Sequence, residues 1–141
     1  MRLTRLMTIA LLLGLLAVAG GALAKSKRDN LDSNQYAWAG AIRWGDFEGA
    51  WNLVDPTYRL EHPMTDLEFE RYNQVQITHY REKGSSVDKK AGVAVRDVEI
   101  GVVNRYTQAE RTVRFQEEWR WDPEAKNWWL VNGLPNLWGG Q

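Results

Sequence analysis

The spacing of apolar residues changes character twice along this chain. It begins with Arg2 and Arg5, then an unbroken apolar run from Leu6 to Ala19 that closes on Gly20-Gly21-Ala22-Leu23-Ala24. From residue 33 the apolar positions fall three and four apart, the period of one helical face. Ala37, Trp38, Ala41 and Ile42 mark a first helix that Asp32 or Ser33 caps and Gly45 ends. Asp46 caps a second, with Phe47, Ala50, Trp51 and Val54 inward, stopped at Pro56. A connection through Tyr58 and His62-Pro63 leads to Thr65-Asp66-Leu67-Glu68, a capping box that opens a third helix carrying Leu67, Phe69 or Glu70, and Tyr72.

Near residue 74 the period drops to two. Val75, Ile77 and His79 alternate with polar neighbours, and Gly84-Ser85-Ser86 predicts a turn. In the next strand Val93 and Val95 are odd-numbered, whereas Val98, Ile100 and Val102 are even. Strict alternation keeps these on one face only with an extra residue between them, which predicts a β-bulge near Arg96-Asp97. From Thr112 to Asp122, Val113, Phe115, Glu117, Trp119 and Trp121 share one face, and Arg114, Gln116, Glu118 and Arg120 the other. Asp122-Pro123-Glu124-Ala125-Lys126-Asn127 is turn chemistry that folds Trp128 to Asn132 back as a hairpin. The expected fold is α+β: three N-terminal helices packed on a curved, mainly antiparallel sheet of about four strands, closing a cone whose open end is a pocket.

The first segment has the charged start, short apolar core and small-x-small end of a cleavable export signal. Its apolar run is below the roughly 20 residues that span a bilayer as a helix. The expected organisation is a signal peptide over 1–24, a flexible lead-in over 25–32 and one domain over 33–138. Cleavage after Ala24 leaves 117 of the 141 residues, periplasmic or secreted, with no stable membrane anchor. No cysteine is present, so a lipid anchor at the cleavage site, disulfides and thiolate chemistry are all excluded. The whole chain balances 18 basic against 18 acidic residues, and the loss of Arg2 and Arg5 makes the remainder slightly acidic. That gives no field to attract nucleic acid. With two histidines, His62 and His79, and no dense acidic loop, no metal site and no cofactor are expected.

Glu117 is the sharpest candidate, because it stands in the middle of an apolar strand face. Burial there raises a carboxyl's pKa and makes it a candidate general base; the alternatives are pairing with an arginine from a helix, or a position where the strand turns outward. His79 shares the parity of Val75 and Ile77 and is its candidate partner. Tyr58, Tyr72 or Tyr80 can supply a phenol. The eight tryptophans either fill the core or line an aromatic pocket, for which Trp38, Trp51, Tyr58, Phe115, Glu117 and Trp119 are the candidate ligand-binding residues. Trp128 and Trp129 are adjacent on a strand and face opposite ways, so one of them is a candidate interface residue.

The stretch from Ala41 to Pro56, reading Ala-Ile-Arg-Trp-Gly-Asp-Phe-Glu-Gly-Ala-Trp-Asn-Leu-Val-Asp-Pro, then Thr65 to Glu68, then the final strands ending Trp128-Trp129-Leu130-Val131-Asn132-Gly133, resembles the nuclear transport factor 2-like superfamily of cystatin-like α+β cones. The resemblance spans about residues 33 to 134. It implies a fold shared by ketosteroid isomerases, dehydratases, epoxide hydrolases, association domains and non-catalytic binding proteins, so it does not select among them. Its enzymes place Asp, Tyr, His or Arg inside the cone, and no single enzyme's set maps onto this chain residue by residue. The expectation is an exported, non-catalytic binding or accessory protein that holds a small apolar ligand or a protein partner, with a homodimer through the sheet face as one form of partner. The alternatives are a cofactor-independent isomerase or dehydratase with Glu117 as base, and an envelope inhibitor or assembly component that binds through the outer sheet face.

Overall fold

The computed structural model describes residues 27–138 apart from residue 29; the expected signal segment lies outside them. Among the described residues there are four helices and one sheet, and no helix is long and apolar enough to cross a membrane. Helix α1 covers residues 30–43, α2 Phe47–Trp51, α3 Pro56–Glu61 and α4 Asp66–Tyr72. Strands β1 Val75–Asp88, β2 Val93–Asn104, β3 Glu110–Asp122 and β4 Asn127–Leu130 follow. They pair in sequence order as an antiparallel meander.

The helical half follows from its capping chemistry. Helix α1 ends on Gly45 at φ +76, where the amides of Asp46 and Gly45 return to the carbonyls of Ala41 and Ile42. That is a Schellman close, and it needs a residue free to adopt positive φ. Asp46 then caps α2 by accepting from the Gly49 amide at 2.9 Å. Four helices replace the expected three because Pro56 begins a helix instead of only stopping one: its missing N–H is no loss at the first helical position. In α4 the capping box forms as its sequence predicts. Thr65 Oγ1 accepts from the Glu68 amide at 3.2 Å, and Glu68 Oε2 accepts from the Thr65 amide at 2.7 Å.

Helix α1 begins before the expected lead-in ends. Leu31 is fully buried with Trp38 and Ile42, a seven-then-four spacing along one helical face, while Ala37 faces outward. Asn34 ties this helix to the far end of the chain, donating to Asn127 Oδ1 at 2.8 Å and to the Trp128 carbonyl at 2.9 Å. Trp128 Nε1 in turn donates to the Lys27 carbonyl.

The sheet corrects the expected register. Pairing of β2 with β3 is regular throughout, so there is no bulge at Arg96-Asp97. The extra residues are in β1, between Ile77 and His79 and again between Glu82 and Gly84. The inner face of β2 is the even set Ala94, Arg96, Val98, Ile100 and Val102, and Val93 is exposed on the other face. The single methyl of Ala94 and the side chain of Arg96 hold the inner parity, and the valines at 93 and 95 take the other face. Nor is Gly84-Ser85-Ser86 a turn. It continues β1, and the reversal comes after Asp88, at Gly92 with φ +67.

Candidate functional site

Four core tryptophans meet on the inner sheet face beneath α1. Trp38 of α1 stands edge-on to Trp119 with centroids 6.3 Å apart and stacks on Phe115 at 6.4 Å, and Trp121 tilts against Trp128 at 5.8 Å. Trp38, Trp119 and Trp128 are at most 1% exposed. They fill the space between helix and sheet.

Glu117 is in the middle of this packing, with no exposed surface at all. Register explains why it can be there. Arg96 lies directly opposite on β2, and its Nε donates to Glu117 Oε2 at 2.6 Å while Nη2 donates to Oε1 at 2.9 Å. The Tyr80 hydroxyl donates to Oε2 at 3.0 Å, and Trp119 Nε1 donates to Oε1 at 3.0 Å. Each carboxylate oxygen therefore accepts two hydrogen bonds. The network extends outward: Trp38 Nε1 donates to the Tyr80 hydroxyl at 2.9 Å, and Arg96 Nη2 also donates to the Gln35 carbonyl at 3.0 Å.

The electrostatics follow from burial. Loss of water pushes the Glu117 carboxyl above its ordinary range, and the donors from Arg96, Tyr80 and Trp119 oppose that push. Burial also pushes the Tyr80 phenol up, with the Glu117 charge adding to it. For Arg96, burial works against the charge, but the hydrogen bond and charge of Glu117 outweigh it and carry the guanidinium above its usual value. A fork-on-fork guanidinium and carboxylate is among the strongest hydrogen-bonded pairs a protein makes.

His79 is elsewhere. The extra residue after Ile77 shifts parity, so Tyr80 and Glu82 take the inner positions and His79 stands on the outer face opposite Gly101. There His79 Nε2 is 3.5 Å from Glu99 Oε1, and Lys83 Nζ is 3.8 Å from Glu99 Oε2. Glu117 and His79 thus occupy opposite faces of the sheet.

The remaining candidates divide the same way. Trp51 and Tyr58 are half-buried in a separate aromatic group, with ring centroids 6.2 Å apart, Phe69 edge-on to Trp51, and His62 stacked on Tyr58 at 4.2 Å. Tyr58 also lies over Gly133, whose φ of +76 and missing Cβ admit the ring. Trp129 pairs across from Arg120 on the outer face and is half-buried, whereas its neighbour Trp128 points into the core. Two residues that the sequence did not single out organise the site: Arg96, whose inward parity was hidden by the valine pattern, and Asn34, a polar residue on the buried side of α1.

Clefts open around this core. Two lie on the outer sheet face, about 660 Å³ beside Lys83, Glu99 and Arg114, and about 530 Å³ beside His79, Gly101 and Arg111. A third, of about 410 Å³, lies between α1 and the strands, and Arg96 reaches it from below. None of these three has a tryptophan in its wall. No group of three or more His, Cys, Asp or Glu among the described residues can hold a metal ion.

No family model matches the chain, and no curated protein matches it. Among solved structures it is similar to the solution structure of RPA3114, a SEC-C motif containing protein from Rhodopseudomonas palustris, with 15% identity and a TM-score of 0.53. That match covers 69% of this chain and 71% of the other, and at this identity it speaks to fold alone. The expected membership of the nuclear transport factor 2-like superfamily is corrected by these results: the fold match is to a SEC-C motif containing protein, and no family model supports the superfamily.

Proposed function

We propose that this chain is an exported, non-catalytic binding or accessory protein whose recognition surfaces lie around a filled core. The observation that supports this most directly is the saturation of Glu117. A general base needs an oxygen lone pair open to substrate, and both oxygens here are occupied by donors from Arg96, Tyr80 and Trp119 in a site without solvent access. The same network gives the carboxylate a structural task, which is to hold Arg96 beneath a surface cleft. The β1 irregularities favour a sheet curved over the helices, with the tryptophans as its packing. Export rests on the charged start, apolar run and Ala22-Leu23-Ala24 end of the first segment.

A second reading places a protein partner on the outer sheet face, and the half-buried Glu99 with His79 and Lys83 around it favours this. Native mass spectrometry of protein purified from its own host tests both readings. The expected result is a chain beginning at Lys25, free of any retained apolar compound. A tightly held apolar ligand, or an intact amino terminus in the membrane fraction, argues against the proposal.

A further inference from the structure

We propose that the cleft between α1 and the β1–β2 pair binds a small zwitterion of the amino-acid or dipeptide class. This deepens the non-catalytic binding reading and rests on it. The cleft, about 410 Å³, is walled on one side by Arg28, which precedes α1, and by Asp32, Gln35 and Tyr36 of α1, and on the other by Glu82 and Ser85 of β1, with Arg96 as its floor. That volume lies in the lower part of the range for small-molecule sites, roughly 300–1,000 Å³.

Arg96 is the fixed element. Its side chain is 12% exposed, and its Nε and Nη2 are committed to Glu117 and to the Gln35 carbonyl. Among the described residues Nη1 has no hydrogen-bond partner, which leaves it as the Arg96 donor free for a ligand in the cleft that this residue lines. A guanidinium anchored in this way loses little side-chain freedom when a carboxylate arrives. Arg28 supplies a second cation at the rim. Its contact with Asp32 is 3.8 Å long and more than half exposed, an arrangement that opens at little cost.

The polarity of the wall selects the ligand class. Arg28 and Asp32 on the helix side share the space with Glu82 and Arg96 on the strand side, and the charge of Arg96 is already balanced by Glu117. A lone anion leaves the Asp32 and Glu82 acceptors unused and close to it, and a lone cation leaves the Arg28 and Arg96 donors unused. A molecule with a carboxylate and an ammonium a few bonds apart satisfies both halves. Its carboxylate goes to Arg96 and Arg28, and its ammonium to Asp32 and Glu82. The Gln35 amide and Ser85 hydroxyl, which have no protein partner among the described residues, are placed to take up the peptide group.

The test is an amide-resonance NMR titration of the folded protein with three probes: dialanine, N-acetyl-dialanine and dialanine amide. Saturable shifts at Gln35, Ser85 and Arg96 with dialanine, and roughly tenfold or more weaker binding of each singly charged probe, are expected. In a Asp32→Asn, Glu82→Gln variant, both changes being at exposed positions, dialanine should bind no better than N-acetyl-dialanine. The proposal is overturned by absence of a saturable shift, by equal affinity for all three probes, or by shifts centred on the outer sheet face. Free alanine accumulating in the same sample overturns the non-catalytic reading instead, and cleft-centred shifts would then still support the site.

Discussion

The two faces of the sheet use the same chemical pairing under opposite conditions. On the inner face, Glu117 and Arg96 are opposite one another and out of water, each oxygen doubly bonded to donors. On the outer face, Glu99 meets His79 at 3.5 Å and Lys83 at 3.8 Å, with the Lys83 side chain 55% exposed. The first pair is short, forked and surrounded by indoles; the second is long and open to water at Lys83, with His79 Nε2 buried and without a hydrogen-bond partner. Water decides how much each is worth. A buried ion pair costs several kcal/mol per ion to desolvate, so removing one partner strands the other, whereas a solvated pair is backed up by water and salt.

The largest expected effect is therefore on the inner face. Glu117→Gln keeps the volume but leaves the Arg96 guanidinium uncompensated, at a cost of about 3–5 kcal/mol in chemical denaturation. The double change Arg96→Leu, Glu117→Met removes both charges, and should recover most of that loss. If Glu117→Gln proves neutral or stabilising, the carboxyl is not functioning as the partner of Arg96, and the candidacy of Glu117 as a general base revives. Tyr80→Phe is the next step down. It deprives Glu117 of one donor and leaves the Trp38 indole N–H without an acceptor inside the core, for a loss of about 1–3 kcal/mol.

How much of this was legible in the chain depends on what fixes each feature. The capping box at Thr65 and Glu68, the helix end at Gly45 and the inward set of β3 are each written in the local spacing of one short segment, and all three appear in the structure. The inner placement of Glu117 was legible for that reason. The parity of β1 and β2 was not, because it depends on which strand carries the extra residue, and that is settled by pairing across the sheet. Placing the irregularity in β2 instead of β1 concealed Arg96 as an inward residue and put His79 on the wrong face. An arginine amid valines at positions 94 to 102 is itself a signal: an inward Glu117 needs a cation, and the neighbouring strand offers one at matching parity.

Gly101→Ala probes the crowding of the outer face. The new methyl would meet the His79 ring and the Thr78 hydroxyl, both of which are side chains able to rotate aside. The expected loss is about 1 kcal/mol, at the low end for overpacking, together with displacement of His79 from Glu99. A much larger loss would show that the outer face is as rigid as the inner one and would weaken the contrast between them.

The smallest effect is the most informative about that contrast. Glu99→Gln removes the carboxylate from His79 and Lys83 while preserving its shape. Lys83 keeps access to water, and His79 Nε2, buried without a hydrogen-bond partner, is 3.5 Å from Glu99 and gains little from it, so the change should cost no more than about 0.5 kcal/mol, and raising the salt concentration should erase even that. Thermal melts of wild type and variant at low and high salt measure it. Loss of several kcal/mol, unaffected by salt, would mean that Glu99 is effectively desolvated and that the outer cluster is a second buried network. A small, salt-sensitive loss means that selection for fold stability alone gives little reason to gather Glu99, His79 and Lys83 at one spot on the sheet, which strengthens the outer face as a place where a partner's charges are read.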